Sequence, residues 1–151
     1  MSDVMAAIGI AQFDRKKLFF KKRINLSNKY ISLLKKGNKI SFFVKKYKKE
    51  VPHIFPIRIK NLINKNLLRE NLQKKNIQIG GQYFPLNLTK FFGKGRKYNC
   101  KRSIQIYNEI ITLPLHYDIS NKDVAYISKC LLSELDKNIY FKKFKWFTSV
   151  I

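Results

Sequence analysis

Acidic residues and histidines are what this sequence has least of. Nine Asp and Glu stand against 32 Lys and Arg, and the two histidines are His53 and His116. Most of the acids are isolated, and no nucleophile–base arrangement can be argued from them. That argues against a self-contained active site. A metal role for His116 would need further ligands, and His53 is the other histidine of the chain. Cys100 and Cys130 lie far apart, in no metal or redox spacing, and read as reduced, partly buried thiols. No apolar run approaches the roughly 18 residues needed to span a membrane. No charged segment followed by an apolar one marks a secretion signal at the N-terminus. The expectation is a cytoplasmic chain with no membrane partner.

Positive charge is abundant instead. A formal net charge of +23 raises the question of nucleic acid. Three features weigh against it. Lys greatly outnumbers Arg, the better reader of phosphates and bases. The lysines are spread from Lys16 to Lys145 and form no single stripe. They also accompany an excess of Asn, Ile, Phe and Tyr, all with A- and T-rich codons, so genome bias explains the pattern without a function. Any nucleic-acid binding would be charge-driven and blind to sequence.

The 151 residues suffice for one domain with a real core. Residues 2–36 form a long helical stretch in which Ser2 can cap and Asp3 sits in the first turn. Val4, Ala7, Ile8 and Ala11 give it a face of small and apolar residues suited to close packing on a partner surface. The polar run Asp14–Lys17 predicts a bend, and Gly37-Asn38 predicts a left-handed stop. A short strand follows at Lys39–Val44, and the run from Lys45 to Glu50 reads as a solvated loop. Val51–Lys60 reads as a strand, and Pro52 and Pro56 place it at a sheet edge. Asn64–Lys75 is an amphipathic helix with Leu67, Leu68 and Leu72 on one face. Ile77–Phe84 reads as a second strand with a bulge or close approach at Gly80-Gly81. After a glycine-bearing loop at Phe91–Asn99 come a helix at Cys100–Asn108 and a strand at Ile110–Leu115. Ser120 and Asp123 form a capping box for the last helix, whose core face is Val124, Ile127, Leu131 and Leu135. The tail, residues 138–151, is aromatic and basic. The whole reads as one α+β domain, a small antiparallel sheet covered by helices.

Four blocks carry a resemblance: MSDVMAAIGIAQF (1–13), HIFPIRI (53–59), IQIGGQYFPLNL (77–88) and LPLHYDISNKDVAYISKCL (113–131). In order and spacing they are similar to the C-terminal third of the DegT/StrS sugar aminotransferases, over roughly residues 1–135. The resemblance implies the small domain of a fold-type I enzyme dependent on pyridoxal phosphate (PLP). Residues 1–137 would be that domain, 1–36 its interdomain helix and 138–151 an added tail. It implies transfer of an amino group from glutamate or glutamine to a nucleotide-linked keto sugar, in cell-surface polysaccharide or amino-sugar biosynthesis, by a homodimer. The family's large domain is not covered, and a chain opening directly on a close-packing helix reads as cut from that domain. The Schiff-base lysine and the PLP phosphate site would lie there, so no catalytic, cofactor or metal residue is assigned in this chain. PLP is expected in the full-length family and not on this chain alone.

The candidate substrate residues are Gln82, Tyr83 and Asn87. A strand with two glycines lets another group approach, and these three offer hydrogen bonds beside it. The alternative is a bulged strand with satisfied polar groups. In the family the similar segment, commonly His-Tyr-x-Pro-Leu-His, lies near the substrate cleft. Tyr83, Pro85 and Leu86 match it, while Gln82 and Asn87 stand where the histidines would be. The segment Gly93–Lys97 lacks the first glycine and the Ser/Thr of a P-loop and reads as a loop. His116 reads as a turn residue. Two rival readings stand beside the enzyme: a free-standing basic module that binds nucleic acid non-specifically, and a non-functional remnant.

Overall fold

The computed structural model describes residues 1–93, 100–137 and 139–141. The N-terminal stretch forms two consecutive helices, α1 (Asp3–Asp14) and α2 (Lys16–Leu34). Ser2 caps α1, its hydroxyl accepting from the Met5 N–H at 3.5 Å. The predicted bend falls at Arg15, where the polar run interrupts the apolar face. No residue of α1 is buried, whereas α2 buries Leu26, Ser27, Tyr30 and Leu34.

Neither Gly37 nor Asn38 is left-handed; among the described residues the non-glycine positions with positive φ are Asn61 (60°) and Asn76 (58°). Gly37 is needed for space instead. A Cβ there would lie 3.0 Å from Leu132 Cδ2 and 3.1 Å from Ile40 Cδ1. Asn76 supplies the left-handed turn that leads the chain out of α3 (Lys65–Gln73).

The sheet is antiparallel, in the order β1 (Ile40–Phe42), β2 (Phe55–Ile59), β3 (Ile110–Leu113). β2 is therefore central, not the edge strand that its prolines suggest. The register explains how Pro56 is tolerated. β1 ends opposite Ile57, so on that side Pro56 faces no ladder partner. On the other side Pro56 pairs with Thr112, whose own N–H and C=O both bond Gly80 at 2.9 Å. The missing N–H is never called upon.

Ile77–Phe84 is also not a strand. Among the described residues it meets the sheet through a single bridge, Gly80 to Thr112. Continuing that register by two residues puts Gln78 opposite Pro114, which has no N–H to donate. The Pro114 carbonyl accepts from the Tyr30 hydroxyl at 3.1 Å instead. The ladder stops, and the two segments part.

The core lies between the sheet and the helices. Phe55, Ile57 and Ile59 alternate toward it from β2. Tyr30 of α2 stacks on Phe55, with ring centroids 5.1 Å apart. After the short helix α4 (Lys90–Gly93) and α5 (Lys101–Glu109), α6 (Asn121–Leu135) packs on α2, and its predicted face of Val124, Ile127, Leu131 and Leu135 is buried. Ser120 and Asp123 form the predicted capping box. The segment from Lys45 is less solvated than its charge suggests. Asn28 holds Tyr47 by two bonds, donating to its carbonyl and accepting from its N–H, both at 2.9 Å.

Two buried carboxylates tie elements together. Glu109, at the end of α5 (Lys101–Glu109), accepts from Arg58 Nε at 2.6 Å and from the Asn61 N–H at 3.1 Å. This clamps α5 to the half-covered face of β2. Glu134 accepts from Lys75 Nζ at 2.5 Å, Lys137 Nζ at 2.8 Å and the Tyr140 hydroxyl. Tyr140 is fully buried, so this residue of the basic, aromatic tail is part of the core.

Candidate functional site

The parting of the two segments opens a cleft of about 750 Å³. One wall is Lys75–Gly80 and the other Thr112–His116, and Gln82 and Tyr126 of α6 also line it. The buried side chains of Ile77, Ile79 and Leu113 form apolar parts of the walls. Its size is that of a small-molecule site.

The glycines are used as the sequence suggests, but the groups that approach belong to the chain. A Cβ on Gly80 would lie 2.8 Å from Gln82 Oε1 and 2.9 Å from Gln82 Nε2. The Gln82 amide is folded back over Gly80. A Cβ on Gly81 would lie 3.0 Å from Lys65 Nζ. That ammonium donates to the Tyr107 carbonyl at 2.7 Å and sits 3.9 Å from the Tyr107 ring centroid. Burial, and then the neighbouring Arg69, push the Lys65 pKa below its ordinary value.

The three sequence-predicted residues do not share one environment. Gln82 lines the cleft, with Oε1 buried and unpartnered. Tyr83 follows across a cis peptide bond; it is 74% exposed and outside the lining. Asn87 is half-buried in a 3-10 turn, Leu86–Leu88, also outside the lining. Pro85 is buried between them, and Phe84 meets the Tyr107 ring edge-on at 5.5 Å. Exposed apolar side chains crowd this stretch: Phe84, Leu86, Leu88, Phe91 and Phe92.

Thr112 was not foreseen. It is 7% exposed, lines the cleft, and its Oγ1 has no hydrogen-bond partner. Nothing in the sequence sets it apart from any other strand threonine; only the Gly80 bridge reveals it. Both histidines come to the cleft rim. His116 Nδ1 lies 3.9 Å from Asp118, and both side chains are exposed. Among the described residues no group of three His, Cys, Asp or Glu could hold a metal ion. No helix there is long and apolar enough to cross a membrane. The Gly93–Lys97 loop, from residue 94 on, and the tail from residue 142 lie outside the described residues.

A PLP site needs a lysine free to form a Schiff base, an acid for the pyridine nitrogen and a phosphate cradle. Lys65 is the one lysine among the described residues with a lowered pKa. Its ammonium is committed to Tyr107 and its charged neighbour is Arg69, not an acid. Lys65 is therefore not placed to serve as a Schiff-base lysine.

The fold has solved counterparts. Spr1654 of Streptococcus pneumoniae, described as a sugar aminotransferase and solved in PMP, PLP and apo forms, is 26% identical with a TM-score of 0.83. The similarity covers 91% of this chain and 36% of that one. A protein of Bacillus cereus ATCC 10987, described as a PLP-dependent aminotransferase, is 25% identical at TM-score 0.73, over 87% of this chain and 36% of its own. PseC of Helicobacter pylori, an aminotransferase in the biosynthesis of pseudoaminic acid, shares the fold at 20% identity and TM-score 0.82, over 91% of this chain and 38% of its own. This chain thus spans a little over a third of their lengths. No curated protein sequence matches it. The profile of the DegT/DnrJ/EryC1/StrS aminotransferases matches residues 1–132, nearly the whole chain, and the chain belongs to that family.

Proposed function

We propose that this chain is the small, C-terminal domain of a PLP-dependent aminotransferase that moves an amino group from glutamate or glutamine onto a nucleotide-linked keto sugar. The observation that carries the reading is the family match over residues 1–132. The likeness to Spr1654 supports it. The Schiff-base lysine and the phosphate cradle come from a part of the enzyme outside this sequence, and PLP supplies the electron sink for the transfer. This chain's part is to hold substrate and close one wall.

The segment Gly80–Asn87 is the wall that faces substrate. Gln82 offers an amide with no hydrogen bond of its own, Tyr83 an exposed ring and hydroxyl, and Asn87 a second amide. The Tyr83 hydroxyl costs little to leave in water, and the buried Gln82 Oε1 gains a partner when substrate arrives. The exposed apolar faces of α1 and of residues 84–92 are where the remainder of the enzyme would pack.

The test is made in the enzyme completed with a large domain. Tyr83→Phe and Gln82→Ala raise KM for the sugar nucleotide or lower kcat by roughly tenfold, the worth of one hydrogen bond, with melting temperature nearly unchanged. Loss of stability with normal kinetics per folded molecule would make the segment core and sink this assignment.

A further inference from the structure

Along the sequence the lysines form no stripe, but α2 gathers several of them into one. Six of its 19 residues are Lys or Arg and none is Asp or Glu. Its buried side is Leu26, Ser27, Tyr30 and Leu34. Lys17, Lys21, Asn25 and Lys29 follow at intervals of four residues, and all four are exposed. Residues so spaced share one side of a helix. At about 1.5 Å per residue, Lys17 to Lys29 makes roughly 18 Å of surface. α6, which packs on α2, adds exposed Lys122 and Lys129, two turns apart. Between the two helices runs a groove of about 470 Å³ whose polar lining is Lys21, Lys22, Asn25, Ser120 and Asn121.

No acid neutralises this face. Among the described residues no ion pair involves Lys17, Lys21, Lys22, Lys29, Lys122 or Lys129. The two acids of α6 are engaged: Asp123 with Ser120 in the helix cap, and buried Glu134 with Lys75 and Lys137. Asp118 Oδ2 lies 3.9 Å from His116 Nδ1 and lines the cleft, not this groove. Asp14 and Asp136 fall outside the two helices, before α2 and after α6. At the start of the stripe rings steady the cations. Lys22 Nζ is 4.4 Å from the Tyr117 centroid, and Arg15 Cζ is 5.2 Å from that of Phe19. Like charges four residues apart on a helix repel one another, and a polyanion laid along them removes that repulsion. A coding bias toward lysine explains how the residues arose; the potential they create acts regardless of origin.

We propose that the outer face of α2, with the groove it shares with α6, docks the phosphate backbone of a nucleic-acid duplex without reading its sequence. This goes beyond the aminotransferase reading and uses neither its cofactor nor its substrate. The stripe spans roughly five phosphates of one strand at about 3.4 Å each. Lysine meets a phosphate as a point charge and carries no base code here. The exposed apolar side chains of α2, Leu18 and Phe20, stand at one end. No apolar row runs beside the lysines to enter a membrane or to stack successive unpaired bases. Lysine is also depleted where proteins bind one another, so charge complementarity favours the nucleic acid over an acidic protein.

The test is the fluorescence anisotropy of labelled duplexes of about 20 base pairs, titrated with the full chain between about 50 and 200 mM salt. The expected result is saturable binding that weakens steeply with salt and is equal within about twofold for unrelated sequences. Lys17→Glu with Lys21→Glu and Lys29→Glu weakens it at least about tenfold and lowers the salt slope by about three. A matched set at exposed positions elsewhere, Lys60→Glu with Lys74→Glu and Lys101→Glu, changes net charge equally. Screening keeps its effect on affinity below about threefold. Melting temperatures of both sets stay near that of the unaltered chain. If charge reversal unfolds it, the neutral set Lys17→Gln, Lys21→Gln and Lys29→Gln is measured instead and follows the same order. Equal losses in the stripe set and the matched set would mean that net charge alone binds, and would overturn the proposal. So would a sequence preference that persists at physiological salt, or no binding at the lowest salt. Tighter binding to phosphatidylglycerol vesicles or to polyglutamate than to the duplex would also overturn it, in favour of a membrane or an acidic protein.

Discussion

The Tyr140 hydroxyl donates to the Glu134 carboxylate, and both side chains are buried. Lys75 and Lys137 hold the same carboxylate, and Asn71 donates to the Tyr140 oxygen at 2.8 Å. This network fastens α3, α6 and the segment Ile139–Phe141 to one another. Tyr140→Phe removes one member and leaves Glu134 short of a donor. Urea unfolding should show a loss of about 1–3 kcal/mol. An unchanged midpoint would mean that the segment is not fastened there.

The same carboxylate sets an acid limit. Burial raises its pKa, but hydrogen bonds from Lys137, Lys75 and Tyr140 outweigh that and hold it at about 2. Its folded pKa is below the unfolded carboxylate value, so its stabilisation is present above roughly pH 4.5. It is lost as pH falls through about 2. Tyr140 works in the opposite sense. Burial and then Glu134 raise it to about 12, so its contribution is full below pH 10 and fades toward 12. Stability measured against pH should fall at both ends. Glu134→Gln should flatten the acid limb, losing about 1–3 kcal/mol of the pH-dependent term. An acid limb identical in the variant would place the titrating group elsewhere.

Gly37 should be intolerant of a methyl group. A Cβ would meet Leu132 and Ile40 at 3.0 and 3.1 Å, so α6 or β1 must give way. Gly37→Ala should cost about 1–3 kcal/mol by overpacking, read by thermal melting. A neutral or stabilising result would show that Leu132 repacks freely.

How far the sequence foretells this structure depends on the range of the forces involved. The Ser120–Asp123 cap, the break at Asp14–Lys17 and the buried stripe of α6 are local, and all three are legible. Pro56 misleads because its tolerance depends on where a different strand, β1, happens to end. Ile77–Phe84 misleads because its pattern suits a strand while Pro114, far along the chain, refuses the pairing. Glu109 and Glu134 look like scattered surface acids until the fold brings Arg58, Lys75 and Tyr140 to them. At the candidate site Gly80-Gly81 correctly signals a close approach, and Gln82 is found in the cleft. Thr112 is invisible beforehand because its significance is a missing partner.

α1 presents Val4, Met5, Ile8, Ile10 and Phe13 to solvent. Purified alone, the chain should associate and take up dyes that report exposed apolar surface. Ile8→Lys together with Phe13→Lys should reduce association and leave the melting temperature unchanged. A sharp monomer peak without dye uptake in the unaltered chain would show that these side chains are satisfied within it.

Titrated with PLP, the chain alone should develop no stoichiometric lysine–PLP absorption band, because Lys65 is committed to Tyr107 and no acid stands beside it. A stoichiometric band that an amino donor removes would locate a cofactor site within these residues.

The central claim is that this chain is the substrate-holding part of a sugar aminotransferase. Its most direct measurement is amino transfer from glutamate or glutamine to nucleotide-linked keto sugars by this chain joined to the large domain of Spr1654. An aminated sugar nucleotide is expected, formed only when both parts are present and reduced roughly tenfold by Gln82→Ala. A soluble, PLP-loaded assembly that aminates no nucleotide-linked sugar, or that works equally well without this chain, would contradict it.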